Sequence, residues 1–260
     1  MSTLATATSD FLNGIQEHLL TQSVNDQTVP YNMYSYGFLQ QTADGYDIKN
    51  DNNPPVESLG NFSIPNNASF YLNADGEGPY IGTTNGNEYF GLTDCSGYVI
   101  YLVAQASQQA LNELIENATA GRPHIQPWPS AAQYANYTGG TYWKQVLTDG
   151  SPDFSQIQPG DIISWDEEGN TTDTGHVMVA IENSSPQSDG SFQIKISDST
   201  VLAHLDDQRN GVRKGNDITG AGSGIIGLKN EGSTLQSSFF PGTDPWITHP
   251  HINILRLAES

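Results

Sequence analysis

The chain has 260 residues, with 9 Lys and Arg against 29 Asp and Glu, so its formal net charge is −20. A protein this acidic repels polyanions, which argues against nucleic acid as a partner. Aromatic residues make up 10% and apolar residues 36% of the chain, enough to build a hydrophobic core. The composition therefore predicts a folded, soluble protein of one decorated domain and excludes a disordered acidic segment.

The first 78 residues contain one amphipathic helix, predicted at about residues 9–21, and then a stretch rich in Pro, Asn and Gly. We interpret this stretch as an irregular arm that packs on a domain formed by residues 79–260. No apolar run approaches the roughly 18 residues that span a bilayer, and no export signal is visible, so we expect no membrane partner. The compartment stays open, with an extracytoplasmic or secreted location favoured.

Cys95 is the only cysteine, which excludes an intramolecular disulfide and a cysteine-based zinc site. Asp94 is a typical N-cap residue, so the sequence predicts a helix that begins at Cys95. There the unpaired backbone N–H groups and the helix dipole favour a reactive thiolate, whereas a buried, inert thiol is the alternative. Apolar residues then recur at the spacing of one helix face: Val99, Leu102, Val103 and Ala106.

An insertion at residues 121–156 is rich in aromatic side chains. These side chains either form an additional core under a loop or line a substrate cleft. In the second interpretation Arg122 and Trp128 contact the substrate, because a guanidinium binds a carboxylate through two parallel hydrogen bonds. Further candidate cations for a substrate carboxylate follow later in the chain: Arg209, Arg213 and Lys214.

His176 opens a segment whose alternating apolar residues predict a strand. It is either a buried core histidine or a general base that takes a thiol proton and returns it to a leaving group. Asp198 ends the next predicted strand, and two adjacent antiparallel strands would bring the carboxylate to the imidazole. Asp198 would then orient the base, and the alternative is that it caps the turn at Ser199 and Thr200.

Two motifs resemble the NlpC/P60 family of papain-like cysteine peptidases. The run Asp94-Cys-Ser-Gly97 at the start of an apolar helix is similar to the nucleophile motif of that family. The segment Gln158-Pro-Gly-Asp-Ile-Ile-Ser-Trp165, followed by Thr174-Gly-His-Val-Met-Val-Ala-Ile181, is similar to its PGD turn and its histidine-bearing strand. The resemblance covers about residues 80–200, with gaps.

The resemblance implies an α+β, papain-like fold in which the helix of Cys95 packs on an antiparallel sheet. It also implies a triad of Cys95, His176 and Asp198, although the family more often has His, Asn or Gln at the third position. The strands of the sheet are predicted near residues 161–166, 175–182, 191–198, 224–229 and 250–257.

In the family an upstream tyrosine supports the tetrahedral intermediate, beside an oxyanion donor that we place at the backbone N–H of Cys95. Tyr80 in Tyr80-Ile-Gly82 resembles this tyrosine, but Thr83 replaces the second glycine of the family pattern. Tyr89 is the rival candidate.

The resemblance further implies a cysteine hydrolase that cleaves an amide bond in peptidoglycan stem peptides or muropeptides. One alternative is an amidase or acyltransferase that acts on a small molecule or lipid with the same triad, and another is a catalytically silent binding module. We expect no cofactor. His249 and His251 have a spacing that metals use, but no third ligand is apparent, so we expect no metal site.

Overall fold

The computed structural model is an α+β structure with few helices and a mostly antiparallel sheet. Side chains are described at residues 4–14 and, within the ranges below, from Thr93 onward. The described residues are 3–17, 20–24, 27–31, 33–35, 38–42, 45–49, 80–84, 88–121, 128–167, 174–200, 202–208 and 220–258.

The helices are α1 (Thr3–Glu17), α2 (Cys95–Ala106), α3 (Gln108–Asn117) and α4 (Ala131–Asn136), with a 3₁₀ turn at Phe154–Gln156. The strands before α2 are β1 (Leu20–Val24), β2 (Gln27–Tyr31), β3 (Met33–Ser35), β4 (Phe38–Thr42), β5 (Gly45–Lys49), β6 (Tyr80–Thr84) and β7 (Glu88–Leu92). The later strands are β8 (Trp143–Gln145), β9 (Leu147–Thr148), β10 (Ser151–Pro152), β11 (Ile162–Asp166), β12 (Gly175–Ala180), β13 (Ser185–Pro186), β14 (Phe192–Thr200), β15 (Gly220–Glu231), β16 (Thr234–Ser238), β17 (Ile247–His249) and β18 (Ile252–Leu257). Within these ranges no helix is both long and apolar enough to cross a membrane.

The N-terminal segment differs from its sequence prediction in two ways. Its helix begins at Thr3, not near residue 9, because Leu4 and Phe11 are the side chains that it buries. The Phe11 ring meets Tyr98 of α2 edge-on at 5.2 Å between centroids, which attaches α1 to α2. The segment predicted as an irregular arm contains regular strands in its described part, where β1 pairs with β2 and β4 with β5, both antiparallel. Residues 50–79 lie outside the described part of the chain.

The large sheet has the strand order β17-β16-β15-β14-β12-β11-β18-β8, with β13 on the edge of β14. The five strands predicted from the sequence are confirmed as β11, β12, β14, β15 and β18, with ends that differ by up to four residues. Every pairing in this sheet is antiparallel. The sheet is covered on both faces, because its strands alternate between two hydrophobic clusters.

The two faces of the sheet have different roles. Val177 and Val179 of β12 belong to the cluster that also contains Cys95 and α2. Met178 and Ala180 of the same strand point to the opposite cluster. Helix α2 therefore packs on one face only.

Four aromatic residues of the 121–156 segment are part of the main core, whereas Tyr142 is exposed and Phe154 packs in the cluster on the other face of the sheet. The four residues are buried in the cluster of α2: Trp128, Tyr134, Tyr137 and Trp143. The indole N–H of Trp143 donates to the carbonyl of Ala110 at 2.9 Å, which joins β8 to α3. The insertion thus completes the hydrophobic core around the helices.

The PGD turn is held by an ion pair between a buried aspartate and a partly exposed arginine. Arg256 of β18 donates from Nε to Oδ1 and from Nη2 to Oδ2 of Asp161, both at 2.7 Å. The backbone N–H of Gln158 donates to Oδ2 of the same carboxylate at 2.9 Å and closes the turn. Because Asp161 is buried, it requires these partners, and the turn sets where β11 begins.

His249 is a buried histidine at the end of β17. Its ring stacks on Trp165 with 5.0 Å between centroids, and its Nε2 lies 2.7 Å from the hydroxyl of Ser237. Burial lowers the pKa of His249 to about 4, against the opposing charge of Asp166. The folded protein therefore resists protonation of this ring.

We expect His249 to make the fold sensitive to acid. Since an unfolded histidine has a pKa of about 6.5, the unfolded state binds the proton first as the pH falls, and stability is lost between about pH 6.5 and 4. This loss should reach about 2 kcal/mol in urea unfolding, and His249→Gln should abolish it. The exposed His251 provides the control, because His251→Gln should keep the wild-type pH dependence. Equal pH dependence in the two variants would contradict the assignment.

Candidate active site

The start of α2 is built as the sequence predicts. Asp94 is the N-cap, and its Oδ1 accepts hydrogen bonds from the backbone N–H of Gly97 at 2.6 Å and from the hydroxyl of Ser96 at 3.0 Å. Cys95 is the first residue of the helix and is 7% exposed. The thiol therefore belongs to the turn where the helix dipole is positive.

Two serines attach this helix start to β14. The hydroxyl of Ser199 donates to the carbonyl of Thr93 at 2.6 Å, and Tyr98 Oη lies 2.6 Å from Ser197 Oγ. Both serines are neighbours of Asp198 in the chain, so the residue proposed to orient the base lies between the two attachment points. These two hydrogen bonds fix the position of the start of α2 relative to β14.

His176 and Asp198 are brought together by strand register. Val179 pairs with Ser197, which places Asp198 level with Met178 and on the same face as His176. Nε2 of His176 lies 2.6 Å from Oδ2 of Asp198, and both residues are buried. Because a carboxylate only accepts, Nε2 carries the hydrogen, and a neutral ring then has its lone pair on Nδ1.

A second histidine, which the sequence analysis missed, lies at the same carboxylate. His204 Nε2 is 3.2 Å from Asp198 Oδ2, and its Nδ1 is 3.0 Å from the carbonyl oxygen of Leu202. The segment that carries it, residues 202–208, crosses the sheet face and forms a bridge from Leu205 to Ile225. Asp198 thus lies between two imidazoles.

Glycines in β15 make room for this histidine. A Cβ at Gly224 would lie 2.6 Å from the Cβ of His204. Gly222 pairs with Asp198 and Gly224 with Ile196, so the two glycines share the face of Asp198. The alternating run Gly220-Ala-Gly-Ser-Gly224 was the signal in the sequence that this face accepts a close neighbour.

Aromatic rings surround the three polar side chains. The Trp165 ring lies 5.6 Å from the ring of His176, measured between centroids. Phe239 lies 5.9 Å from His176 and 4.9 Å from His204. These rings reduce solvent access, and a lower local dielectric strengthens the interaction between the imidazoles and the carboxylate.

The helix start and His176 are close enough to interact electrostatically. Burial raises the pKa of Asp94, while its hydrogen bonds from Gly97 and Ser96 and the charge of His176 oppose that rise. The strand register places Ser199, which bonds to Thr93, level with Val177. The start of α2 therefore lies near the first residues of β12. Val177 faces α2, whereas His176, one residue earlier, faces the other side of the sheet.

The remaining residues predicted from the sequence are only partly described. Trp128 is 3% exposed and donates its indole N–H to Ser96 at 3.0 Å, so it supports the helix start and has little surface to offer a substrate. Tyr80 pairs with Leu92, three residues before Cys95, whereas Tyr89 pairs with Thr83 further away. The side chains of both tyrosines lie outside the described residues, as do the following cations in full: Arg122, Arg209, Arg213 and Lys214.

Comparison of the chain with protein-family models, with curated proteins and with solved structures found no match.

Gly175 is the residue on which the placement of His176 depends. Its φ is +117°, and a Cβ there would overlap the carbonyl oxygen of Trp165 on the neighbouring strand. Gly190 also has a positive φ, +81°, but nothing lies within 4 Å of its Cβ position. An alanine at Gly190 would therefore suffer backbone strain alone, whereas an alanine at Gly175 would suffer both backbone strain and a steric clash.

We expect Gly190→Ala to lower the free energy of unfolding by about 1 kcal/mol, the cost of left-handed backbone alone. Gly175→Ala should lower the free energy of unfolding by at least about 2 kcal/mol more than Gly190→Ala does, because β11 and β12 must move apart next to His176. Urea unfolding of both variants measures the difference. Equal losses would show that the close approach at Gly175 is not required.

Proposed function

We propose that the protein is a cysteine hydrolase of the NlpC/P60 type that cleaves an amide bond with Cys95, His176 and Asp198. The observation that carries the proposal is the buried hydrogen bond of 2.6 Å between His176 and Asp198. The proposal is also supported by Asp94, the N-cap of the helix that begins at the only cysteine, because the charge of His176 acts on the pKa of Asp94. The two sequence motifs and the α+β architecture support the family assignment.

The proposed reaction has two steps. Nδ1 of His176 takes the thiol proton of Cys95 around the end of β12, and the thiolate attacks the carbonyl carbon of the amide. The C–N bond breaks as Nδ1 gives that proton to the leaving amine, which leaves a thioester on Cys95. Water then loses a proton to Nδ1, attacks the thioester and releases the carboxylic acid, and the thiolate recovers the proton.

Asp198 and the helix start serve both steps. Asp198 keeps the hydrogen of His176 on Nε2, so that Nδ1 stays able to accept a proton. The backbone N–H of Cys95 donates to the oxyanion, with Tyr80 as the proposed second donor because of its position in β6. His204 is a positioning residue, since its ring confines the same carboxylate oxygen from the other side, with Nε2 3.2 Å away.

The proposed substrates are soluble peptidoglycan fragments. Stem peptides carry both amines and carboxylates, whereas the intact wall is polyanionic and repels a chain of net charge −20. The repulsion acts over a Debye length of about 10 Å at 0.1 M salt, so added salt should weaken it.

We expect the protein to cleave muropeptides faster than sacculi at low salt, with a smaller difference at high salt. Mass spectrometry of products from muropeptides, sacculi, simple amides and simple esters measures this. Cys95→Ala and His176→Ala should each lower turnover by at least about 10³-fold, and the double variant little more, because the residues act as one unit. Asp198→Asn should cost less than Asp198→Ala, and His251→Ala should retain activity.

Two results would contradict this function. Hydrolysis of a simple amide or ester without cleavage of any muropeptide would support the amidase or acyltransferase alternative. No turnover of any substrate would support a silent binding module.

Thiol reactivity provides an independent test of the nucleophile. Cys95 is the only thiol, so iodoacetamide labelling reports on it alone. We expect the labelling rate of the folded protein to stay high down to about pH 6.5, whereas the urea-unfolded chain should follow an ordinary thiol of pKa about 8.5. His176→Ala should move the profile of the folded protein towards that of the unfolded chain, and His251→Ala should leave it unchanged. Identical profiles for folded and unfolded protein would contradict an activated thiolate.

A further inference from the structure

Three groups able to bind a metal ion converge on the side of the sheet opposite to α2. They are Nε2 of His176 on β12, Oδ2 of Asp198 on β14 and Nε2 of His204 in the 202–208 segment. All three atoms lie within 4.8 Å of one another, and all three residues are buried. We propose that these side chains bind a divalent transition metal ion, with zinc as the best match, and that the bound ion inhibits the enzyme reversibly.

The distances suit an ion after a small rearrangement. Zinc binds imidazole nitrogen and carboxylate oxygen at about 2.0–2.2 Å, so tetrahedral ligand atoms lie about 3.3 Å from one another. The carboxylate oxygen is already 3.2 Å from His204, and it must move from 2.6 Å to that spacing from His176. Two imidazoles and one carboxylate also leave a fourth position for water, as in zinc sites with three protein ligands.

His204 has the orientation of a metal ligand. The carbonyl of Leu202 can only accept, so Nδ1 of His204 carries the hydrogen of that 3.0 Å contact and Nε2 is presented to the cluster. This arrangement, in which one ring nitrogen binds a backbone carbonyl and the other faces the ion, is typical of zinc-binding histidines. The backbone N–H of His204 donates to Asp207 at 2.9 Å, which holds the ring in place.

The charge of the protein and access to the site both favour a cation. The net charge of −20 concentrates cations near the surface. The side chain of His176 is 11% exposed, whereas those of Asp198 and His204 are fully buried, so solvent reaches the cluster from the His176 side. From the sequence we expected no metal site, because only the spacing of His249 and His251 suggested one. Neither of these histidines belongs to the cluster.

Inhibition follows from the tautomer of His176, and this step rests on the proposed function. With a metal ion on Nε2, a neutral imidazole carries its hydrogen on Nδ1. Nδ1 is the nitrogen that must accept the thiol proton of Cys95. The ion also replaces the hydrogen bond between His176 and Asp198, so the metal-bound enzyme lacks its base.

Binding is measured without reference to activity. We expect the full chain, freed of metal with a chelator, to bind one Co²⁺ with visible d–d absorption bands, and Zn²⁺ to displace it in calorimetric and optical titrations. His204→Gln keeps a side chain that can donate to Asp198 but removes the imidazole, and it should weaken Zn²⁺ binding by at least about 10-fold. His249→Gln and Cys95→Ala should bind as wild type does.

A protection experiment on the wild-type protein covers the case in which His204→Gln does not fold. Diethyl pyrocarbonate modifies exposed imidazoles, and peptide mapping identifies each modified histidine. Zn²⁺ should slow modification of the partly exposed His176 but leave the exposed His251 as reactive as before, and His204 is too deeply buried to report.

The outcomes separate this proposal from the hydrolase proposal. No stoichiometric Co²⁺ or Zn²⁺ binding, or binding that His204→Gln retains and Cys95→Ala loses, would overturn the metal site and leave the hydrolase proposal standing. Binding that depends on His204, in a protein that cleaves nothing, would support the metal site and overturn the hydrolase. Inhibition of muropeptide cleavage by Zn²⁺, reversed by a chelator and weakened in His204→Gln, would support both.

Discussion

The arrangement around the candidate site depends on Asp198, a carboxylate with no solvent exposure. A buried charge without partners costs several kcal/mol, so the surrounding elements must supply hydrogen-bond donors. His176 supplies one from the neighbouring strand, and His204 approaches the same oxygen from the crossing segment. The absence of a side chain at Gly224 is what allows the second approach. Strand register, the glycine face of β15 and the path of the 202–208 segment are therefore consequences of one requirement.

The residues next to Asp198 also connect its strand to α2. The serines on either side of Asp198 bind Thr93 and Tyr98 on the opposite face of β14. On the helix side, Asp94, Ser96 and the indole of Trp128 form a chain of hydrogen bonds that holds the first turn. Hydrogen bonds thus anchor both chain neighbours of Asp198 to the start of α2 on the opposite face of the sheet.

Local signals in the sequence were sufficient for the elements around the candidate site and insufficient for their assembly. The predicted strand positions match β11, β12, β14, β15 and β18, and the N-cap signal located the start of α2, because such signals depend on neighbours within a few residues. The proximity of His176 and Asp198 could also be anticipated, since a hairpin connection places adjacent strands side by side. His204 could not, because a non-regular segment that folds back over a sheet has no periodicity, and its only trace is in the distant glycines of β15.

The position of β18 in the sheet determines when the site can form. This strand is the last one in the described chain, yet it lies between β11 and β8, and its Arg256 holds the PGD turn that begins β11. During synthesis, β11 therefore has an unpaired edge, and Asp161 lacks the Arg256 guanidinium, until β18 has left the ribosome. Pairing of such distant segments is slow, because the entropy of closing a long loop is lost before the contacts form. The thiol of Cys95 consequently leaves the ribosome well before the sheet that is to hold its helix is complete.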